Sequence, residues 1–197
     1  MPKRLIKDPR TNPNQGPITG AAPLHMAASF GHREIVRTLI KHPQINVNQP
    51  LVGGFTALYI AAHAGKWEVV KDLLEHPATL PNQASTDGTT PLMVATRKGH
   101  REVIRELLKH PGTLLNQPDA KGATALVHAV NEGDPQIIQN LLEKGADPTL
   151  GDRFGRTVED LVKDSKNLKD KTAILKLIRK VSRKKPQSGA FGKKVKK

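Results

Sequence analysis

The sequence predicts an all-α solenoid of short helix pairs, and three observations carry that reading. The segments "AAPLHMAASFGH", "FTALYIAAHAGK", "TTPLMVATRKGH" and "ATALVHAVNEGD" place Ala22, Thr56, Thr90 and Thr124 in register at steps of 34 residues, and a last step of 33 reaches Thr157. Glycines keep the same phase: Gly20, Gly54, Gly88, Gly122 and Gly155 stand two residues ahead of those positions, and Gly31, Gly65, Gly99 and Gly133 follow the first four by nine. Apolar residues in "IVRTLI", "VVKDLL", "VIRELL" and "IIQNLL" recur at i, i+1, i+4 and i+5, one stripe on one helix face.

Each unit then reads as two antiparallel helices. The first begins at the Thr, whose hydroxyl caps it, with Pro23 and Pro91 suited to the first helical position. Leu24, Leu58, Leu92 and Leu126 face inward beside Ala pairs that let neighbouring backbones approach, and the late glycine ends the helix with a positive φ. The second helix carries the stripe, in which Leu74 and Leu108 are assigned to the contact with the next unit. Trp67, at the start of one such helix, is expected to pack between helices. Arg33, Arg101 and Arg105 are expected to pair along their own helices with Glu34, Glu102 and Glu106. Short β-hairpin fingers join the units. Residues 168–181, "LKDKTAILKLIRKV", set Ile174, Leu175, Ile178 and Val181 on one face with Lys169, Lys176, Arg179 and Lys180 around it, as the closing helix of the stack requires.

Three second helices end in a His-Pro pair, in "LIKHPQINVNQ", "LLEHPATLPNQ" and "LLKHPGTLLNQ", whereas the fourth unit ends "LLEKGADPT" and is one residue shorter. The pair is therefore punctuation. Pro43, Pro77 and Pro111 stop the helix, and His42, His76 and His110 are expected to meet its last carbonyls. A shared metal is excluded by distance: ligating nitrogens sit about 2 Å from one zinc ion, and stacked helix layers lie about 8 to 10 Å apart.

Composition agrees. Of 197 residues 37% are hydrophobic and 3% aromatic, enough for a thin core, and the absence of cysteine removes disulfides, thiolate metal sites and cysteine nucleophiles. The opening "MPKRLIKDPRTNPNQG" has no apolar run of a secretory signal, and no segment is long enough for a membrane span. Net charge is +14, and 14 of the 32 Lys and Arg fall in residues 163–197 against two Asp. The expected organisation is a basic N-terminal arm (1–16), a repeat domain of four units and a capping unit (17–181), and a disordered basic tail (182–197).

The pattern resembles the ankyrin repeat, G-x-T-P-L-H-x-A-A, then G-H-x-x-I-V-x-x-L-L, then G-A-x-x-N, from residue 16 to about 180. One departure recurs: His25 follows Ala22 rather than Thr, while Tyr59, Met93 and Val127 replace the His, so the family's Thr to His hydrogen bond is absent. The His-Pro variant resembles repeats of ankyrin proteins from intracellular, host-associated bacteria, which implies a host-directed effector in the cytoplasm or nucleus of a eukaryotic cell.

What the resemblance implies is a monomeric, non-enzymatic adaptor. H-E-x-x-H, G-x-S-x-G, G-x-x-x-x-G-K-[ST] and G-x-G-x-x-G are all absent, and His128 is read as a packed side chain, so no catalytic residue, cofactor or metal is expected. Family partners meet the fingers and first helices. Carried over by position, the finger sites include Phe55, Asp87, Thr89, Lys121, Arg153, Phe154 and Arg156, and the helix sites Phe30, His63, Arg97, Lys98 and Asn131. Aromatic anchors beside cations suit an acidic, partly apolar protein segment. The clusters Arg183, Lys184, Lys185 and Lys193, Lys194, Lys196, Lys197 are similar to a nuclear localisation signal. The alternative is a nucleic-acid or anionic-surface binder acting through that tail, without sequence preference because no aromatic residues interleave the charges.

Overall fold

A threonine hydroxyl starts four of the five first helices. In the computed structural model, which describes residues 12–16, 22–166 and 168–184, the side chains of Thr56, Thr90, Thr124 and Thr157 accept from the N–H groups of Tyr59, Met93, Val127 and Asp160. Ala22 offers no such oxygen, and His25 compensates by bonding across to the carbonyl of Gln49 at 2.8 Å. That ring is buried, and burial lowers its pKa against the raising effect of the Gln49 bond, so it packs in the neutral form.

Ten α-helices follow among the described residues, in five pairs: α1 (Pro23–Phe30) with α2 (Arg33–Leu39), α3 (Ala57–His63) with α4 (Trp67–Leu74), α5 (Pro91–Arg97) with α6 (Arg101–Lys109), α7 (Ala125–Glu132) with α8 (Pro135–Glu143), and α9 (Val158–Asp164) with α10 (Lys171–Lys184). First helices stack on first helices from α1 to α9; α2 packs on α4, α4 on α6 and α8 on α10. Every layer is helix, and the core runs the length of the stack between the two rows. The last helix continues to Lys184, past the expected boundary at Val181. Its Ile174 and Ile178 are buried against the stack.

The stripe is narrower than the sequence reading made it. Leu39, Leu73, Leu107 and Leu141 are fully buried, while Leu74 and Leu108 are only partly covered. One residue further along a helix is about 100° further round, so Leu74 and Leu108 sit at the margin, whereas Leu142 in the fourth unit is 2% exposed. Trp67 is 41% exposed rather than packed between helices. It is the first residue of α4, and a helical side chain points back toward the N-terminus, here beyond the end of the layer.

The two edges of the stack differ. On one, the fingers are hydrogen-bonded turns, and no strand forms among the described residues. Each closes on itself, as where the N–H of Ser85 donates to Thr89 O at 3.0 Å and that of Gly88 to Ser85 O at 2.9 Å. One bond joins each finger to the one before: Thr86 N–H to Gly53 O at 2.9 Å, Ala120 N–H to Asp87 O at 2.9 Å and Arg153 N–H to Lys121 O at 3.3 Å. A single bond per junction is too few for a ladder, hence turns in place of hairpins. Gly88 is required twice over: its φ is +80°, and a Cβ there would lie 2.8 Å from the Ala120 nitrogen.

On the other edge, an asparagine clamps each loop to the next. Asn48 donates to Ala78 O at 2.6 Å and accepts from Leu80 N–H at 2.9 Å; Asn82 does the same with Gly112 and Leu114 at 2.6 and 2.8 Å. Asn14 repeats the pattern on Gln44 and Asn46, which ties residues 12–16 to the first loop. Within the loops the expected partners of the His rings are the helix carbonyls; the bond common to all three is made instead to a backbone N–H of the turn. Nδ1 of His42, His76 and His110 accepts the N–H two residues on, at 3.2, 3.3 and 3.2 Å, and so shapes the turn around the proline.

Some ion pairs run along helices, as Lys109 with Glu106 at 2.7 Å and Lys163 with Glu159 at 3.2 Å, but Arg33 and Arg101 pair across layers. Arg33 and Arg37 each present Nε and Nη2 to the Asp72 carboxylate at 2.7 to 3.1 Å, and Arg101 reaches Asp134 at 2.8 Å. Asp72 is 2% exposed. Burial alone would raise its pKa, but the two guanidiniums outweigh that and hold it below the ordinary carboxylate value. Of the expected partners, Glu34 and Glu102 lie on the exposed helix face, where a pair gains little, and Glu106 pairs with Lys109 instead.

Candidate functional site

The finger face gathers most of the positions the sequence singled out. Asp87, Thr89, Arg97, Lys121, Asn131, Phe154 and Arg156 line one groove of about 330 Å³, across the third, fourth and terminal units. Phe55 and His63 line a second hollow of about 240 Å³ with Tyr59 and Ile60. Phe30 stands apart, exposed and stacked on His32 with ring centroids 5.8 Å apart. Lys98 closes the end of α5 beside Arg97. The smaller hollow thus lies at the second unit, and the larger groove spans the third, fourth and terminal units.

Thr89 is 1% exposed and its carbonyl closes its own finger, so its side chain offers no contact surface. Phe55, 36% exposed, divides its surface between solvent and Tyr59, whose ring centroid is 4.9 Å away. Phe154 is 69% exposed, with the guanidinium of Arg153 4.8 Å and that of Arg156 5.7 Å from its ring centre. That arrangement is a cation–π stack.

The electrostatics of the groove follow from which charges are already engaged. All three of its carboxylates are satisfied within their own unit. Asp87 accepts from Ser85 Oγ at 2.6 Å and from Thr89 N–H at 3.1 Å, and the Ser85 bond in particular lowers its pKa. Asp119 accepts from the N–H groups of Lys121 and Ala123 at 2.8 and 2.9 Å and meets His128 Nε2 at 2.9 Å. Asp152 holds Arg156 at 2.6 Å, and that bond chiefly depresses its pKa. Arg97, Lys121 and Arg153 are exposed and have no carboxylate partner among the described residues. Their charge is what the groove presents to solvent.

His63 carries the field into the second hollow. Burial lowers its pKa, and the charges of Lys98, His100 and Arg97 lower it further, so the ring is neutral at neutral pH. The Tyr59 hydroxyl is pushed up by burial against a hydrogen bond with Ser85. The hollow is an apolar, uncharged pocket beside a basic groove.

Sequence reasoning named Arg153 as a finger position but missed Asp119 as a member of this site, together with the Asn clamps and the Asp72 pair. The clamps had a signal: Asn14, Asn48, Asn82 and Asn116 are each followed by Gln and stand 34 residues apart. Asp72 had none, because its partners lie 35 and 39 residues away in another layer. Arg183 and Lys184 belong to α10, and Arg183 is exposed. Lys185, Lys193, Lys194, Lys196 and Lys197 lie outside the described residues. Groups of three or more metal-ligating side chains do not occur among the described residues, and none of their helices is long and apolar enough to cross a membrane.

Comparison with known proteins agrees with this geometry. No curated protein sequence matches the chain. Among solved structures, the crystal structure of EF0377, an ankyrin repeat protein, superposes with a TM-score of 0.80 at 26% identity, over 90% of this chain and 89% of that one. The family model for ankyrin repeats, three copies in length, matches residues 2–83 and again 69–152. With most of its length covered by that model and its five helix pairs stacked in the same order, the chain belongs to the ankyrin repeat family.

Proposed function

We propose that the chain is a non-enzymatic protein-binding adaptor whose partner lays an acidic, partly apolar segment along the finger face. Ankyrin repeats serve as protein-binding modules. The observation that carries the finer reading is the charge state of the groove: its carboxylates are internally engaged, while Arg97, Lys121 and Arg153 surround an exposed Phe154. A partner that brings carboxylates regains charge-assisted bonds, and one that brings an apolar group covers aromatic surface.

The test is titration of a partner captured from cell lysate. Phe55→Ala should raise its dissociation constant at least tenfold, because a desolvated anchor is truncated. Arg97→Ala with Lys98→Ala should chiefly slow association and flatten its salt dependence, since rim charges steer more than they hold. If neither variant changes the titration, the finger face is not the binding surface.

A second reading has its own observation. Lys176, Arg179, Lys180 and Arg183 are exposed along α10, and among the described residues only Arg179 of these has a carboxylate partner, Glu159 at 3.0 Å. That stripe leads into the basic end of the chain and suits nucleic acid or another polyanion. Binding of that kind should weaken steeply with salt and also weaken in a chain ending at Val181, which loses Arg183 and the basic residues after it, whereas a finger-face complex should survive both. The chain beyond Val181 also suits a cellular address: delivered into a eukaryotic cell, as a host-directed effector would be, the intact chain should accumulate in the nucleus and the shortened one should not.

A further inference from the structure

Among the described residues, exposed cations without a carboxylate partner line the groove once in each of three successive units. Arg97 lies on α5 in the third unit, Lys121 on the finger of the fourth and Arg153 on the finger of the terminal unit, all three around one groove. One layer before Arg97 comes the apolar hollow of Phe55, Tyr59, Ile60 and neutral His63. Successive units of the face therefore carry apolar, cation, cation, cation, and stacked units are separated by about 8 to 10 Å.

Few peptide conformations carry side chains on one side at that interval. A β-strand repeats a face every second residue, about 6.6 Å, and is out of register by the second layer. A polyproline II segment has three residues per turn and a rise of about 3.1 Å, so every third side chain returns to the same face after about 9.3 Å. We propose that the finger face reads a segment in polyproline II conformation with one apolar residue for the Phe55 hollow and acidic residues at every third position after it, one for each of Arg97, Lys121 and Arg153. This rests on the protein-binding reading above and adds the spacing and backbone form of the ligand. Such a segment has no internal backbone hydrogen bonds and is extended before it binds, so little ordering opposes association.

The experiment uses fluorescein-labelled peptides and the full chain. One peptide carries Leu followed by three Glu at intervals of three, with Pro and Ala between; a second is its reverse; a third has the same composition with Glu at intervals of two. Fluorescence anisotropy should show at least fivefold tighter binding of the first or second than of the third. Lys121→Glu with Arg153→Glu should weaken the preferred peptide at least tenfold and remove that difference. Both sites are exposed, circular dichroism reports whether the fold is kept, and Arg97→Glu is a separate probe of the same row. Equal affinity for all three peptides, or no binding of any, overturns the period-three inference. If affinities are equal but fall with the groove variants, the adaptor reading stands without it. If the peptides bind and the groove variants change nothing, both readings fall.

Discussion

The loop edge and the finger edge of this stack share one period and differ in what repeats along it. On the loop edge the same side chains recur: Asn14, Asn48 and Asn82 each make two bonds to the next loop, and His42, His76 and His110 each shape the turn inside it. On the finger edge the backbone alone joins the units, one bond from each finger to the last; carboxylates such as Asp119 and Asp152 shape only their own turns, and the tip side chains change from Val52 and Phe55 to Lys121, Arg153 and Phe154. Side chains that fix the layers are constrained to be identical, and side chains freed from that duty can differ. Stability should therefore be concentrated at the core and the loop edge, and recognition at the fingers.

The largest expected effect sets the scale. Leu73→Ala, in the fully buried row, should destabilise by about 3 kcal/mol in chemical denaturation, and Leu74→Ala, at the margin, by about 1 kcal/mol. Equal losses would mean that the stripe is as wide as the sequence pattern suggests. Next comes the clamp: Asn82→Ala removes two inter-layer bonds and should cost about 2 kcal/mol, measured in the same way. A loss below about 0.5 kcal/mol would place the loop edge among ordinary surface positions and break the comparison.

Asp72→Asn should cost about 1.5 kcal/mol at neutral pH, because two guanidiniums lose a shared carboxylate while keeping access to water. Its pH dependence sharpens the point. The folded carboxyl titrates below the ordinary value, so its contribution is complete above about pH 4 and disappears as pH falls through the lower folded value. Denaturation curves of wild type and variant should converge only in that acid range, and a gap that closes already at pH 6 would point to another group. The smallest effect belongs to the fingers. Lys121→Glu with Arg153→Glu should leave stability within about 0.5 kcal/mol, and a loss as large as that of Asn82→Ala would erase the distinction between the edges.

How much of this could be read from residues alone follows the same division. The helix pairs were legible because Thr caps, glycines and apolar stripes are local signals in one phase, and the structure places a first helix after each of Thr56, Thr90, Thr124 and Thr157. Side chains whose role depends on another layer were not. Arg33 has Glu34 beside it in sequence but bonds Asp72, 39 residues away, and Thr89 occupies a variable finger position yet is buried. The groove was legible as a list of positions but not as a charge, since nothing in the sequence says that Asp87, Asp119 and Asp152 are occupied by their own turns.

The clamp has a consequence for how such a chain can change its length. Each asparagine at the end of one unit binds backbone groups of the next loop, and each unit that ends in His-Pro presents the same carbonyl and N–H in return. A gene segment encoding one whole 34-residue unit could be copied in tandem or lost, and both new junctions would find their partners already in place. Duplication thus preserves the fold by construction while adding one more finger, whose residues are free to diverge.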